Sequence, residues 1–185
     1  MLKQALLVMD VQQTVVGWIN EGQRYAARLA GAVSAAREAT VPVIHVVVRH
    51  RDGHPEVDPG GRFFASVIGT DTLTESNPGS EIHPAVAPRD AEPVVAKRFI
   101  SAFYNSDLET LLRAWHIDTL VLTGLGTSGV VLGTLRDATE RQYEQIVLSD
   151  GCDDTDAEVH RVLTEKVFPR EAEVITIADW VSRLG

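Results

Sequence analysis

Short, wholly apolar runs alternate along the chain with segments whose apolar residues fall on one helical face. Ala5–Met9 (ALLVM) and Val41–Val48 (VPVIHVVV) are of the first kind and predict strands. Gln23–Glu38 is of the second kind. It sets Ala26, Leu29, Ala30, Val33 and Ala36 on one side and predicts an amphipathic helix. The alternation resumes beyond residue 92 with strand Pro93–Ala96 and helix Asp107–Trp115, capped by Ser106. Strand Thr119–Thr123, helix Ser128–Gln142 and strand Gln145–Leu148 follow, then helix Asp156–Val167, strand Glu173–Ile177 and a closing helical turn, Ala178–Arg183. Between the two series lies the stretch 49–92, rich in Pro and Gly and without a sustained period. A long loop in a compact domain is usually functional or disordered, and this one is expected to act as a lid.

Strands that are apolar throughout are buried on both faces, as in a parallel sheet. Joined by right-handed crossovers, they predict a three-layer α/β/α doubly wound (Rossmann-like) sandwich with a six-stranded, mainly parallel sheet. All 185 residues are expected in this one domain. Such sheets bind ligands beyond the carboxyl ends of their strands, at the topological switch point. The residues just after each strand are therefore the ones to inspect.

Asp10 ends the first strand, with Gln12 two residues on; Lys97 ends the third, and Gly124–Val130 (GLGTSGV) leads from the fourth into a helix. A carboxylate, an ammonium and a helix N-terminus would converge there. The first two can exchange a proton with a substrate, and the third offers backbone N–H groups to a developing anion. Each residue also has a plain reading: an aspartate after a strand serves turns, and a lone lysine is usually solvated.

Composition narrows the partners. Lys and Arg number 17 against 26 Asp and Glu, a formal charge of −9, which disfavours a nucleic-acid face and a basic membrane-binding helix. No run approaches a membrane span, and the opening MLKQALLVMDVQQ does not read as a signal peptide, so a cytoplasmic protein is expected. The single cysteine, Cys152, makes no internal disulfide and no cysteine-based zinc cage. Three acidic neighbours should raise its thiol pKa, which favours a structural role. Gly124-Leu125-Gly126-Thr127-Ser128-Gly129 fits a dinucleotide-binding fingerprint, with Asp150 about 20 residues beyond. It follows the fourth strand rather than the first, and too little chain remains after it for a second nucleotide half. No cofactor is expected.

Four segments together resemble the isochorismatase-like hydrolases, the cysteine hydrolase superfamily that includes nicotinamidases and carbamoylsarcosine amidases. They are ALLVMDVQQ, GSEIHPAVAP (79–88), VVAKRFISAFYNSDLETLLRAWHIDTLVLTG (94–124) and GLGTSGVVLGTLRDATERQY (124–143). The resemblance implies a catalytic Asp10 and Lys97 and a cis, non-proline peptide at Leu125–Gly126. It also implies a departure: Val130 stands where amidase members carry the nucleophilic cysteine, and valine cannot attack a carbonyl. True isochorismatases lack that cysteine too, and their aspartate protonates a vinyl ether.

The expected function is hydrolysis of a small molecule by Asp10-mediated proton transfer and direct attack of water. Gly126 and Val130 would supply anion-binding N–H groups, and Gln12, Arg49 and Phe103 would contact substrate. Two other readings stand beside it: a non-catalytic binding or regulatory module, and an amidase using Cys152. Arg49, Arg62, Phe63 and Phe64 would bind a carboxylate and a ring, or anchor the loop. Trp18 would wall the pocket or pack in the core; Glu81 and His83 would be lid or plain surface. His50, Asp52, His54 and Asp58 suggest a metal site, and Asp52-Gly53-His54-Pro55 resembles nicotinamidase ligands. A further histidine is missing before His83, so no metal is expected. Val130, Val131, Leu132 and Leu135 exceed what one sheet face needs and suggest a homo-oligomer.

Overall fold

A computed structural model describes residues 3–185. Met1 and Leu2, the start of the segment read above as no signal peptide, lie outside the described residues. Six strands form one sheet: β1 (Gln4–Met9), β2 (Val43–Val48), β3 (Val94–Lys97), β4 (Thr119–Leu125), β5 (Glu144–Asp153) and β6 (Glu173–Ile175). Their order is β3-β2-β1-β4-β5-β6, and every pairing is parallel. The winding reverses between β1 and β4, so the switch point falls between Asp10 and the turn after β4. The helices are α1 (Gln13–Trp18), α2 (Gly22–Glu38), α3 (Leu108–Ala114), α4 (Leu132–Glu140), α5 (Ala157–Val162) and α6 (Ile177–Ser182).

The period-2 alternation of β1 divides the core in two. Ala5, Leu7 and Met9 pack on one face with Leu108 and Leu112 of α3 and Leu135 and Ala138 of α4. Leu6 and Val8 pack on the other with Tyr25, Leu29 and Val33 of α2 and with Trp180 of α6. β1 and β4 approach so closely that a Cβ on Gly124 would lie 2.4 Å from the Met9 carbonyl oxygen, and Gly124 has a φ of +151°. Only glycine fits there.

Several boundaries differ from the sequence reading. α1 was not expected: six residues with Gly17 and two adjacent valines show no helical period. Helix Ser128–Gln142 begins as a π-helical turn, Thr127–Val131, and continues as α4. Helix Asp156–Val167 likewise ends in a π-turn, Leu163–Val167, before a 3-10 turn holding Pro169. Ile177 belongs to α6 rather than to the last strand, because Thr176 and Asp179 form a capping box there. Asp107 occupies the N-cap of α3, although Ser106 Oγ does accept from Leu108 N–H at 3.2 Å. β5 runs to Asp153, past a register shift that sets Cys152 opposite Gly124. Of the apolar residues that suggested an oligomer, Val130, Val131 and Leu135 are buried within the chain and Leu132 is partly buried.

Residues 49–92 hold three short 3-10 turns, Phe64–Val67, Pro78–Ser80 and Pro84–Val86. Bridges Gln12–Ile82 and His50–Thr74 tie the excursion to the carboxyl end of the sheet.

Candidate active site

Asp10 leaves β1 with a left-handed φ of 56°, its N–H bonded to Val46 O at 2.8 Å. Short polar residues tolerate that conformation. Lys97, the last residue of β3, reaches across β2 and donates from Nζ to Asp10 Oδ2 at 2.9 Å and to Phe99 O at 2.9 Å. Both side chains are buried. Asp10 Oδ1 is also buried and has no hydrogen-bond partner among the described residues. Burial raises the Asp10 carboxyl above the ordinary aspartate value, and Lys97 offsets only part of that rise.

The Leu125–Gly126 peptide is cis, at the position the resemblance implies. Gly126 O accepts from Gly129 N–H at 3.1 Å and from Val131 N–H at 3.4 Å, closing the π-turn. Thr127 Oγ1 pairs with His160 Nδ1 at 2.7 Å, and Ser128 donates its N–H and Oγ–H to Asp154 Oδ2 at 2.7 and 2.8 Å.

A cavity of about 360 Å³ lies over this point, within the usual range for small-molecule sites. Asp10, Lys97, Gly126 and Val130 all line it. The excursion contributes Phe63, Phe64, Val67 and Leu73 to the wall, and α1 with the residue after it contributes Val15, Trp18 and Ile19. Edge-to-face contacts link Phe63, Phe64, Phe99 and Tyr104, with centroids 5.0, 5.3 and 5.1 Å apart in turn. Trp18 and Phe63 are more than half exposed. A dent of about 410 Å³ at the amino ends of β4 and β5 holds none of the candidate residues.

Three of the expected substrate contacts are elsewhere. Gln12 is fully buried, and its amide is spent on Val48 N–H, Val48 O and Ser80 O at 2.9, 2.8 and 2.7 Å, bracing β2 against the excursion. Arg49 pairs with Glu81 at 3.3 Å, outside the cavity lining. Phe103 packs in the core, stacked on Tyr143 at 5.9 Å and covered by Arg141 at 4.6 Å. His83 faces Gln23 at 3.2 Å. Cys152 is 2% exposed, does not line the cavity, and donates weakly to Leu122 O at 3.8 Å. Burial pushes its thiol up to about 12.

The histidine–aspartate cluster disperses. His50 and His54 meet as tilted rings with centroids 5.1 Å apart, while Asp52 accepts from Ser76 Oγ at 2.8 Å and Asp58 accepts from Gly60 N–H at 2.9 Å. Among the described residues, no group of three or more His, Cys, Asp or Glu side chains is placed to hold a metal. His50 lines the cavity; burial and the neighbouring His54 lower its pKa, so it is neutral at pH 7. Asp154 was missed because it follows the lengthened β5 and its bulge, which no local pattern signals, whereas His160 of α5 touches Thr127 without lining the cavity.

The fold and this site define a Rossmann-like hydrolase of small molecules. The isochorismatase domain matches residues 4–179, and the chain belongs to that family. Maleamate amidohydrolase of Pseudomonas putida is 28% identical over 98% of this chain and 87% of its own. A cysteine hydrolase structure from Pseudomonas syringae superposes with a TM-score of 0.85, at 28% identity over 98% of this chain and 92% of that one. N-carbamoylsarcosine amidase from Thermoplasma acidophilum superposes with a TM-score of 0.73, at 28% identity over 95% and 97%. Among the described residues, no helix is long and apolar enough to cross a membrane.

Proposed function

We propose that this protein hydrolyses a small, activated substrate such as a vinyl ether without forming a covalent intermediate. The observation that carries the reading is the split environment of Asp10. One carboxyl oxygen is held by Lys97, while the other is buried without a partner in a residue that lines the cavity. Burial raises this carboxyl above the ordinary aspartate value, with Lys97 opposing, which moves it toward the range of a general acid. Asp10 gives its proton to the β-carbon of the double bond, and water adds to the resulting oxocarbenium carbon and returns a proton to Asp10. The hemiketal then breaks its C–O bond, its hydroxyl proton passing to the departing alcohol and a carbonyl remaining. Lys97 fixes the carboxyl and balances its charge once the proton has left. Val130 occupies the position of the amidase nucleophile but offers no attacking atom. Gly126 and Val130 contribute backbone donors to the oxygen that departs as the hemiketal C–O bond breaks, and Cys152 takes no part.

The test is a panel of vinyl ethers, amides and ureido compounds, followed by intact-protein mass spectrometry during turnover, with Asp10→Asn as control. Turnover lost in the control and no adduct on the native chain is the expected result. A covalent adduct on any side chain overturns direct attack by water. Saturable binding across the panel with no turnover favours a binding module. Assembly as a homo-oligomer in the cytoplasm is part of this proposal; a monomer mass by light scattering at micromolar concentration contradicts the assembly.

A further inference from the structure

We infer that the cavity selects an uncharged, ring-sized apolar group and rejects a carboxylate, with Asp154 as the residue that enforces the choice. The inference deepens the proposal above and rests on this cavity being the substrate site.

Three observations carry it. The wall is mainly apolar, with Val15, Trp18, Phe63, Phe64, Phe99 and Ile100 forming most of a space large enough for one ring. Rings prefer such edge-rich aromatic surroundings. Next, the cations are already committed. Among the described residues only Lys97 and Arg98 bring positive charge to the wall. Lys97 is bonded to Asp10, and Arg98 is paired with Glu75 and faces Glu56 at 3.7 Å. His50 adds no charge, because burial and His54 keep it neutral.

Last, the donors at the start of the π-turn are occupied. Ser128 N–H and Oγ–H both go to Asp154 Oδ2. That oxygen lies 3.2 Å from where a Cβ on Gly126 would sit, so the carboxylate is held directly against the turn. The N-terminal end of the turn and α4 is thus neutralised from within the chain. An entering carboxylate would find no free cation there and would meet the Asp154 charge at short range. At an intermediate dielectric that repulsion is worth about tenfold or more in affinity.

The probes are phenylacetamide and phenylacetate, which share ring and length and differ in charge. Binding is titrated by calorimetry on the native protein and on Asp154→Asn, whose side-chain oxygen can still accept from Ser128. The native protein should bind phenylacetamide about tenfold or more tightly than phenylacetate. In Asp154→Asn the ratio should fall to about threefold or less, through tighter phenylacetate binding. Equal or stronger binding of phenylacetate by the native protein, binding of neither probe, or an unchanged ratio in the variant each overturns the inference. If the variant does not fold, the order of the two probes on the native protein decides alone. Turnover is not read, so a failure of the Asp10 mechanism and a failure of this selectivity give different results.

Discussion

Lys97 Nζ and Asp10 Oδ2 lie 2.9 Å apart across 87 residues of sequence, with side chains 1% and 9% exposed. Removing one member of such a pair leaves a buried charge without compensation, at a cost of about 3–5 kcal/mol. Asp10→Asn and Lys97→Met should each lower unfolding free energy by roughly 3 kcal/mol in urea titrations. The double variant should be destabilised by clearly less than the sum, while all three lack turnover. Additive losses would show that the two residues are not energetically coupled.

The raised Asp10 carboxyl sets the sign of the pH dependence. Burial, opposed in part by Lys97, holds the proton to a higher pH than in a free aspartate. A general acid is active while protonated, so kcat on a vinyl ether should fall as pH rises through a pKa above the ordinary carboxylate range. A kcat that rises through that limb would make Asp10 a base and exclude the proton-donating step.

Cys152 is predicted to be silent. It lies 2% exposed in β5, and burial holds its thiol at about 12, so the thiolate is scarce at neutral pH. Cys152→Ser should leave kcat/KM within about threefold, because it neither touches the cavity nor ionises. A thiol reagent should label the protein only after denaturation. Rapid labelling of the native protein with loss of activity would return Cys152 to the mechanism.

What the sequence disclosed and what it hid divide along physical lines. Apolar runs mark β1, β2 and β4 because burial on both faces demands them, while the edge strands β3 and β6, exposed at alternate or outer positions, were legible from their β-branched residues. Asp10, Lys97 and the Gly124–Val130 turn were legible because a parallel sheet presents its strand ends to one side. Gln12 was misplaced for an instructive reason: closeness in sequence to Asp10 does not fix which way a side chain points. Gln12 turns inward to satisfy backbone groups of β2 and the excursion. Asp154 depends on a bulge pairing Cys152 with Gly124, a relation between strands rather than within one.

Far from the cavity, Glu92 offers a separate check on stability. Its carboxylate takes a two-pronged contact from Arg37 at 2.7 Å on each oxygen, an N–H from Arg89 at 2.9 Å, and faces His45 at 3.3 Å. Burial alone would raise this carboxyl, but those donors outweigh it and hold it at about 2. A depressed carboxyl contributes stability that is full above the unfolded value and is lost as pH falls through the folded one. Glu92→Gln should therefore destabilise the protein by roughly 2 kcal/mol at pH 7, and the difference from native should close between about pH 4.5 and pH 2. A gap that stays constant over that window would mean the contact is not titrating.

Val130 provides the sharpest test of the chemistry. Its side chain is 3% exposed, lines the cavity beside Gly126, and sits at the position where the resemblance places the amidase cysteine. Asp10 lines the same cavity and, among the described residues, keeps one oxygen without a partner, so above its raised pKa the ionised carboxylate can take a thiol proton. A cysteine there is smaller than valine by little and should be accommodated at a cost of about 1 kcal/mol. Val130→Cys should then form a thioester with simple amides, seen as a covalent adduct by intact-protein mass spectrometry and absent from the native chain. Weak amidase turnover should accompany it, because backbone donors near Gly126 would already face the developing oxyanion. If the cysteine variant folds, reacts with a small alkylating agent and still forms no acyl adduct, the donors are not aimed at a tetrahedral centre. The assignment of Gly126 and Val130 as the anion-stabilising pair would then fall.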